Sequence, residues 1–161
     1  MKAKAILAIA ALSVSTAFAQ TAQPWMSSDV SAAWAQGYKG QGVRITVVDD
    51  YTSANKYSGN LGLGSAKQQH GFWTSSEASL IAPSAEIARV NWGKEAIKLD
   101  PVKLDVVNLS YALYSAQTRA AQAKAGTLNF DAQQSSIIAA ARNNEAVVVK
   151  AAGNDKVAIG T

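Results

Sequence analysis

The stretch "VRITVVDD", residues 43–50, decides the fold. Val43 to Val48 is β-branched and nearly all apolar, and two carboxylates follow it at once. A strand that is apolar on both faces belongs inside a parallel sheet, with helices covering it above and below. "AEIARVNW" (85–92), "LDVVNLS" (104–110) and "AVVVKAAGND" (146–155) read as further strands of the same kind. Strands that alternate with helical segments imply an α/β fold built on a parallel sheet.

The helical segments have recognisable ends. Ser28 or Asp29 is expected to cap a short helix with Val30, Ala33 and Trp34 on one face, and Gly37 to end it. Helical character returns from Gly71 to Ile81, until Pro83 stops it. "SAQTRAAQAKAG" ends at Gly126, and "DAQQSSIIAAARNN" begins with Asp131 as its N-cap. "YTSANKYSGNLGLGSAKQQ" (51–69) is rich in Gly, Ser and Asn and reads as a surface loop.

Composition narrows the class. The 161 residues fit one domain, and 48% apolar content is enough for a core. Charged residues make up only 16%, which leaves disorder and coiled coil without support. The first 19 residues, "MKAKAILAIAALSVSTAFA", have the form of a signal peptide: two lysines, an apolar run, then small residues Ala17 and Ala19 before a cut at Gln20. The apolar run is shorter than the roughly 20 residues a membrane-spanning helix needs. The expected localisation is therefore secreted or periplasmic, with residues 20–161 as the working domain and no membrane contact after signal removal. The formal charge of +4 loses Lys2 and Lys4 with the signal, leaving 13 basic against 11 acidic residues and no basic run. Nucleic acid is not an expected partner. Without cysteine, thiolate chemistry and disulfides are excluded, and a single histidine makes a zinc site an unpromising reading.

Candidate chemistry gathers where a parallel sheet places it, beyond the carboxyl ends of the strands. Asp49 follows "ITVV", Ser110 follows "VVNL", and Asn154 follows "VVVKAAG". His70, the one histidine, opens a helix after a long loop and can reach the same edge. A buried aspartate that accepts from the Nδ1–H of an imidazole fixes its tautomer and stabilises the imidazolium formed in proton transfer. The other ring nitrogen can then take a proton from a hydroxyl nucleophile, and a side-chain amide can donate to the oxyanion that develops.

Four blocks in order make the chain resemble the subtilisin-like serine proteases, or subtilases. "AWAQGYKGQGVRITVVDD" resembles the family's opening helix, glycine-rich turn and aspartate-bearing strand. "HGFWTSSEASLIAPSAEIARV" resembles its HGTxVA segment and the turn and strand behind it. "DVVNLSYAL" is similar to its substrate-binding strand, and "VVVKAAGND" to its AAGN turn. The resemblance implies a three-layer subtilisin-like fold and the activity of a secreted serine endopeptidase on polypeptide substrates. It makes Asp49 the histidine-orienting aspartate, His70 the general base and Asn154 the oxyanion donor. Ser110, Tyr111 and Ala112 would line the cleft that holds peptide as an added strand. No cofactor is assignable from the residues; the resemblance alone allows calcium.

Departures from the family pattern are informative too. Phe72 replaces the usual threonine of "HGT", Trp73 replaces a smaller or polar residue, and Thr74 and Ser75 stand where the family prefers valine and alanine. Asp50 falls where a small residue is common. The family's serine, in a GTSxA segment downstream of the AAGN turn, has no counterpart, and Ser65 in "GLGSAK" lacks the strand-to-helix turn a nucleophile needs. The expectation is a subtilase catalytic domain represented by its N-terminal half, truncated after about half of the domain and inactive alone, with its last strand leaving an exposed sheet edge. A non-catalytic exported pseudoprotease or peptide-binding module is the alternative. "GNLGLGS" (59–65) as a phosphate-binding loop has neither a preceding strand nor an acidic ribose partner to support it.

Overall fold

The computed structural model describes residues 23–59, 66–93, 105–111, 116–126, 132–143 and 146–151. The signal segment, the Asp131 cap, most of the glycine-rich 59–65 stretch, Ala112 and Asn154 lie outside the described residues.

A four-stranded parallel sheet organises the chain. Its strands are β1 (Arg44–Asp49), β4 (Glu86–Asn91), β5 (Val106–Leu109) and β6 (Val147–Lys150), in the spatial order β4-β1-β5-β6. Val48 of β1 sits in register with Val90 of β4 and Leu109 of β5. Val47 and Val48 are wholly buried, as a strand covered on both faces requires.

Helices α2 (His70–Ile81) and α4 (Ala132–Asn143) cover opposite faces of this sheet. Side chains alternate along a strand, so Thr46 and Val48 share one face while Val47 and Asp49 share the other. Val48 packs with Val107, Leu109 and Ile137 of α4 in the hydrophobic core. On the other side Asp49 meets His70 and Thr74 of α2, and the Arg89 guanidinium lies over the Phe72 ring of α2. The sheet is thus the middle of three layers.

The short helix α1 (Ser28–Ala35) begins one residue earlier than the sequence suggests. Ser27, rather than Ser28 or Asp29, is the N-cap, because its Oγ accepts from the Val30 amide. Asp29 lies in the first turn, where its charge suits the helix dipole. Gly37, with φ of +87°, takes the left-handed conformation that ends the helix. Trp34 is buried and donates from Nε1 to the Ile81 carbonyl, which fastens α1 to the end of α2.

The 51–69 segment is not wholly irregular. Tyr57–Ser58 (β2) and Lys67–Gln68 (β3) form a two-stranded antiparallel ladder. Two pairs leave little trace in a sequence dominated by turn formers. Helix α3 (Ala116–Lys124) matches its expected alanine-rich segment and ends before Gly126 at φ of +68°.

Candidate active site

The site begins with β1. Its last residue, Asp49, is 1% exposed, so its carboxylate needs donors from the protein itself. Three are present. Oδ1 lies 2.7 Å from the Asp50 amide and 2.7 Å from His70 Nδ1, and Oδ2 accepts from Thr74 Oγ1 at 3.0 Å. The first turn of α2 adds the positive end of a helix dipole beside the carboxylate.

His70 is the first residue of α2, and Thr74 is one turn further along the same face. What brings this turn so close is Gly71. Its amide donates to the Asp50 carbonyl at 2.8 Å, and its α-carbon faces the Tyr51 ring. The "HG" pair is therefore a packing requirement: the histidine reaches the strand end because no side chain follows it.

The imidazole is pinned at Nδ1 yet its side chain is 41% exposed. Tyr57 stands edge-on to it, with ring centroids 5.8 Å apart and planes at 82°. Trp73 holds that tyrosine's backbone, donating from its indole to the Tyr57 carbonyl at 2.7 Å. Beneath, Ser75 is fully buried and shares a 2.8 Å hydrogen bond with Tyr51 Oη, which also donates to the Val47 carbonyl. Burial raises the Tyr51 pKa, and the nearby Asp49 charge adds to this; the Ser75 hydrogen bond and Arg89 act in the opposite sense. Trp73 and Ser75 are thus buried and partnered side chains.

His70 opens onto a cleft of about 250 Å³. Asp49, Asp50, His70, Ser110 and Tyr111 line it, together with Tyr57 and Trp92. Its place follows from topology. The connection leaving β1 runs through α2 on one face, and the connection leaving β5 runs through α4 on the other. The adjacent strands β1 and β5 therefore frame a switch point, the crevice where open α/β sheets bind ligands.

Of the six residues expected at the site, Asp49, His70, Ser110 and Tyr111 come together in this cleft. Ser110 Oγ accepts from Asn108 Nδ2 at 2.9 Å. Ala112 and Asn154 lie outside the described residues. Asp50 also lines the cleft. Burial alone would raise its pKa, but hydrogen bonds from the Ser53 side chain, the Ser53 and Thr52 amides and the Trp92 side chain outweigh that and hold it below the usual 3.8. Its oxygens are occupied in shaping the 50–53 turn.

Two residues that stand behind the cleft, Gln133 and Thr74, are not evident from sequence. Trp92 faces Tyr111 across 5.8 Å and forms an aromatic wall. Gln133 of α4, 1% exposed, supports both. Its Oε1 accepts from the Gly93 amide at 2.7 Å and from Tyr111 Oη at 3.1 Å, and its Nε2 donates to the Asn91 carbonyl at 3.2 Å. Thr74 is the other, through Asp49. Lys150 of β6 braces the same wall, with Nζ donating to the Tyr111 carbonyl and lying over its ring. Among the described residues no group of three His, Cys, Asp or Glu is placed to hold a cation, and no helix is long and apolar enough to cross a membrane.

Compared with protein-family models, with curated proteins and with solved structures, the chain gives no match.

Proposed function

We propose that the chain carries the general-base half of a subtilisin-like serine endopeptidase site, in an exported protein that acts on polypeptides. The observation that carries this reading is the 2.7 Å contact between a buried Asp49 and a half-exposed His70 at the mouth of a switch-point cleft. A catalytic base needs this asymmetry, with one nitrogen fixed from within and the other accessible. The parallel order β4-β1-β5-β6 is in keeping with the finer subtilisin-like fold.

In this reading Asp49 holds the Nδ1–H tautomer. His70 Nε2 takes the proton of a serine hydroxyl as its oxygen bonds to the scissile carbonyl carbon. It then returns the proton to the leaving amine nitrogen as the C–N bond breaks. Asn154 would donate to the oxyanion of the tetrahedral intermediate. Ser110, Tyr111 and Ala112 would receive the substrate backbone, and the Trp92–Tyr111 wall its apolar side chains. The sequence contains no GTSxA segment. This polypeptide is thus read as binding peptide without hydrolysing it.

A peptide titration followed by NMR of the one histidine tests this. Extended apolar peptides are expected to shift the His70 ring resonances, while a casein-type substrate is not turned over. Peptides that leave His70 unmoved at millimolar concentration overturn the cleft assignment. Turnover that His70→Ala abolishes overturns the reading of this polypeptide as non-hydrolytic.

A further inference from the structure

We propose that Thr74 is a positioning residue for Asp49, fixing the plane of its carboxylate so that Oδ1 is the oxygen that meets His70. This rests on the reading of Asp49 and His70 as a working pair, and extends it to a residue the subtilase resemblance does not supply. At this position the family pattern has valine, which has nearly the shape of threonine but no donor.

The argument starts from a soft torsion. Rotation of an aspartate carboxylate about its last bond is broad and roughly two-fold, so a single contact does not hold it. Oδ1 has two donors, the Asp50 amide and His70 Nδ1, and both meet that one oxygen. Thr74 Oγ1, 3.0 Å from Oδ2, is the third point and defines the plane. The carboxylate is 1% exposed, so water is not at hand to replace that donor.

Thr74 has a competing acceptor. Its Oγ1 also lies 3.1 Å from the Gly71 carbonyl, the ordinary resting place of a helical threonine hydroxyl. One proton faces two acceptors, and the ionised one forms the stronger hydrogen bond. The bond to Asp49 therefore prevails while Asp49 is charged, and the Gly71 carbonyl receives the hydroxyl when it is not. The same helical turn presents both His70 and Thr74, one to each oxygen, so the pair and its brace move as a unit.

The chain's single histidine makes the test direct, because the imidazole Nδ1–H signal needs no assignment. In the wild-type full chain that proton is expected far downfield, as for a donor to a carboxylate, and Asp49→Asn should remove it. Thr74→Val is expected to shift it and speed its exchange with water on the order of tenfold, the loss of one hydrogen bond to a charged group. Thr74→Ser, which keeps the hydroxyl, should restore the wild-type signal. A general packing role would not distinguish serine from valine in this way. Should Thr74→Val fail to fold, Thr74→Ala against Thr74→Ser makes the same comparison. A wild-type signal sensitive to Asp49→Asn but unchanged in Thr74→Val and Thr74→Ala overturns the role of Thr74 alone. No downfield signal in the folded wild type overturns the Asp49–His70 pair, and the role of Thr74 with it.

Discussion

A Cβ on Gly71 would lie 2.6 Å from two ring carbons of Tyr51 and 2.9 Å from the Asp50 carbonyl oxygen. The ring cannot easily give way, because Tyr51 Oη is tied to both the Val47 carbonyl and Ser75. Neither can the carbonyl, which accepts the Gly71 amide itself. This contact sets the distance between the end of β1 and the start of α2, and hence between Asp49 and His70.

Gly71→Ala should accordingly destabilise the fold by about 1–3 kcal/mol, the usual cost of overpacking, despite alanine's better helix propensity. Urea unfolding measures the loss. The His70 Nδ1–H signal should shift in the same variant, since the helix start is pushed from the strand. Wild-type stability with an unmoved histidine would show that the close approach is not required.

Asp50 provides a pH signature. Its pKa is lowered in the fold, so it contributes stability above the unfolded value near 3.8 and loses it as pH falls through the lower folded value. Wild type should lose stability below pH 3.8 in part through this group. Asp50→Asn should flatten that part of the acid limb while leaving the dependence above pH 5 unchanged. Urea midpoints measured from pH 2 to 6 give the comparison; parallel acid limbs in the two proteins would count against the Ser53 and Thr52 bonds.

The sheet and the pair were legible for a common reason. β-branched runs such as Val47-Val48 and Val106-Val107 report burial on both faces, and a charged residue closing such a run stands out. Asp49, His70, Ser110 and Asn154 could be gathered at one edge because parallel strands share a carboxyl end, whereas Tyr111 came from the subtilase resemblance. Boundaries moved by a residue where capping decided them, as at Ser27. The β2–β3 ladder was hidden because two paired residues cannot impose a period on the turn formers around them. Thr74 had a faint signal, its one-turn spacing from His70, but the spacing does not say that a carboxylate lies opposite. Gln133 had none. A glutamine inside an alanine-rich helix reads as solvated, and only the backbone at the end of β4 (Asn91 and Gly93) and the Tyr111 hydroxyl, far away in sequence, make its burial favourable.

Gln133→Leu tests that burial. The substitution keeps the volume nearly constant but removes the partners of the Gly93 amide, the Asn91 carbonyl and Tyr111 Oη. Leaving buried polar groups unpaired costs about 1–3 kcal/mol each, reduced here because Trp92 and Tyr111 border the open cleft. A net loss of about 2 kcal/mol is expected, along with weaker contact between Trp92 and Tyr111. Chemical denaturation and near-ultraviolet circular dichroism report the two effects. An unchanged aromatic signal would mean that the wall stands without Gln133.

The last prediction concerns β6. Among the described strands it pairs only with β5, and Val147, Val148 and Val149 are 60%, 41% and 50% exposed. An apolar strand with one open edge is a template for pairing with another chain. Native sheets usually protect such edges with charge, yet here the three valines precede a single lysine whose ammonium is engaged at Tyr111. Side chains alternate, so Val148 faces α4 beside Leu109 and Ile137, while Val147 and Val149 face the other way. Val149→Lys therefore places a charge on the open edge without entering the α4 core. Sedimentation velocity over a concentration series should show wild type self-associating, and Val149→Lys sedimenting as a monomer over a wider range. Equal self-association in both proteins would locate the sticky surface away from β6.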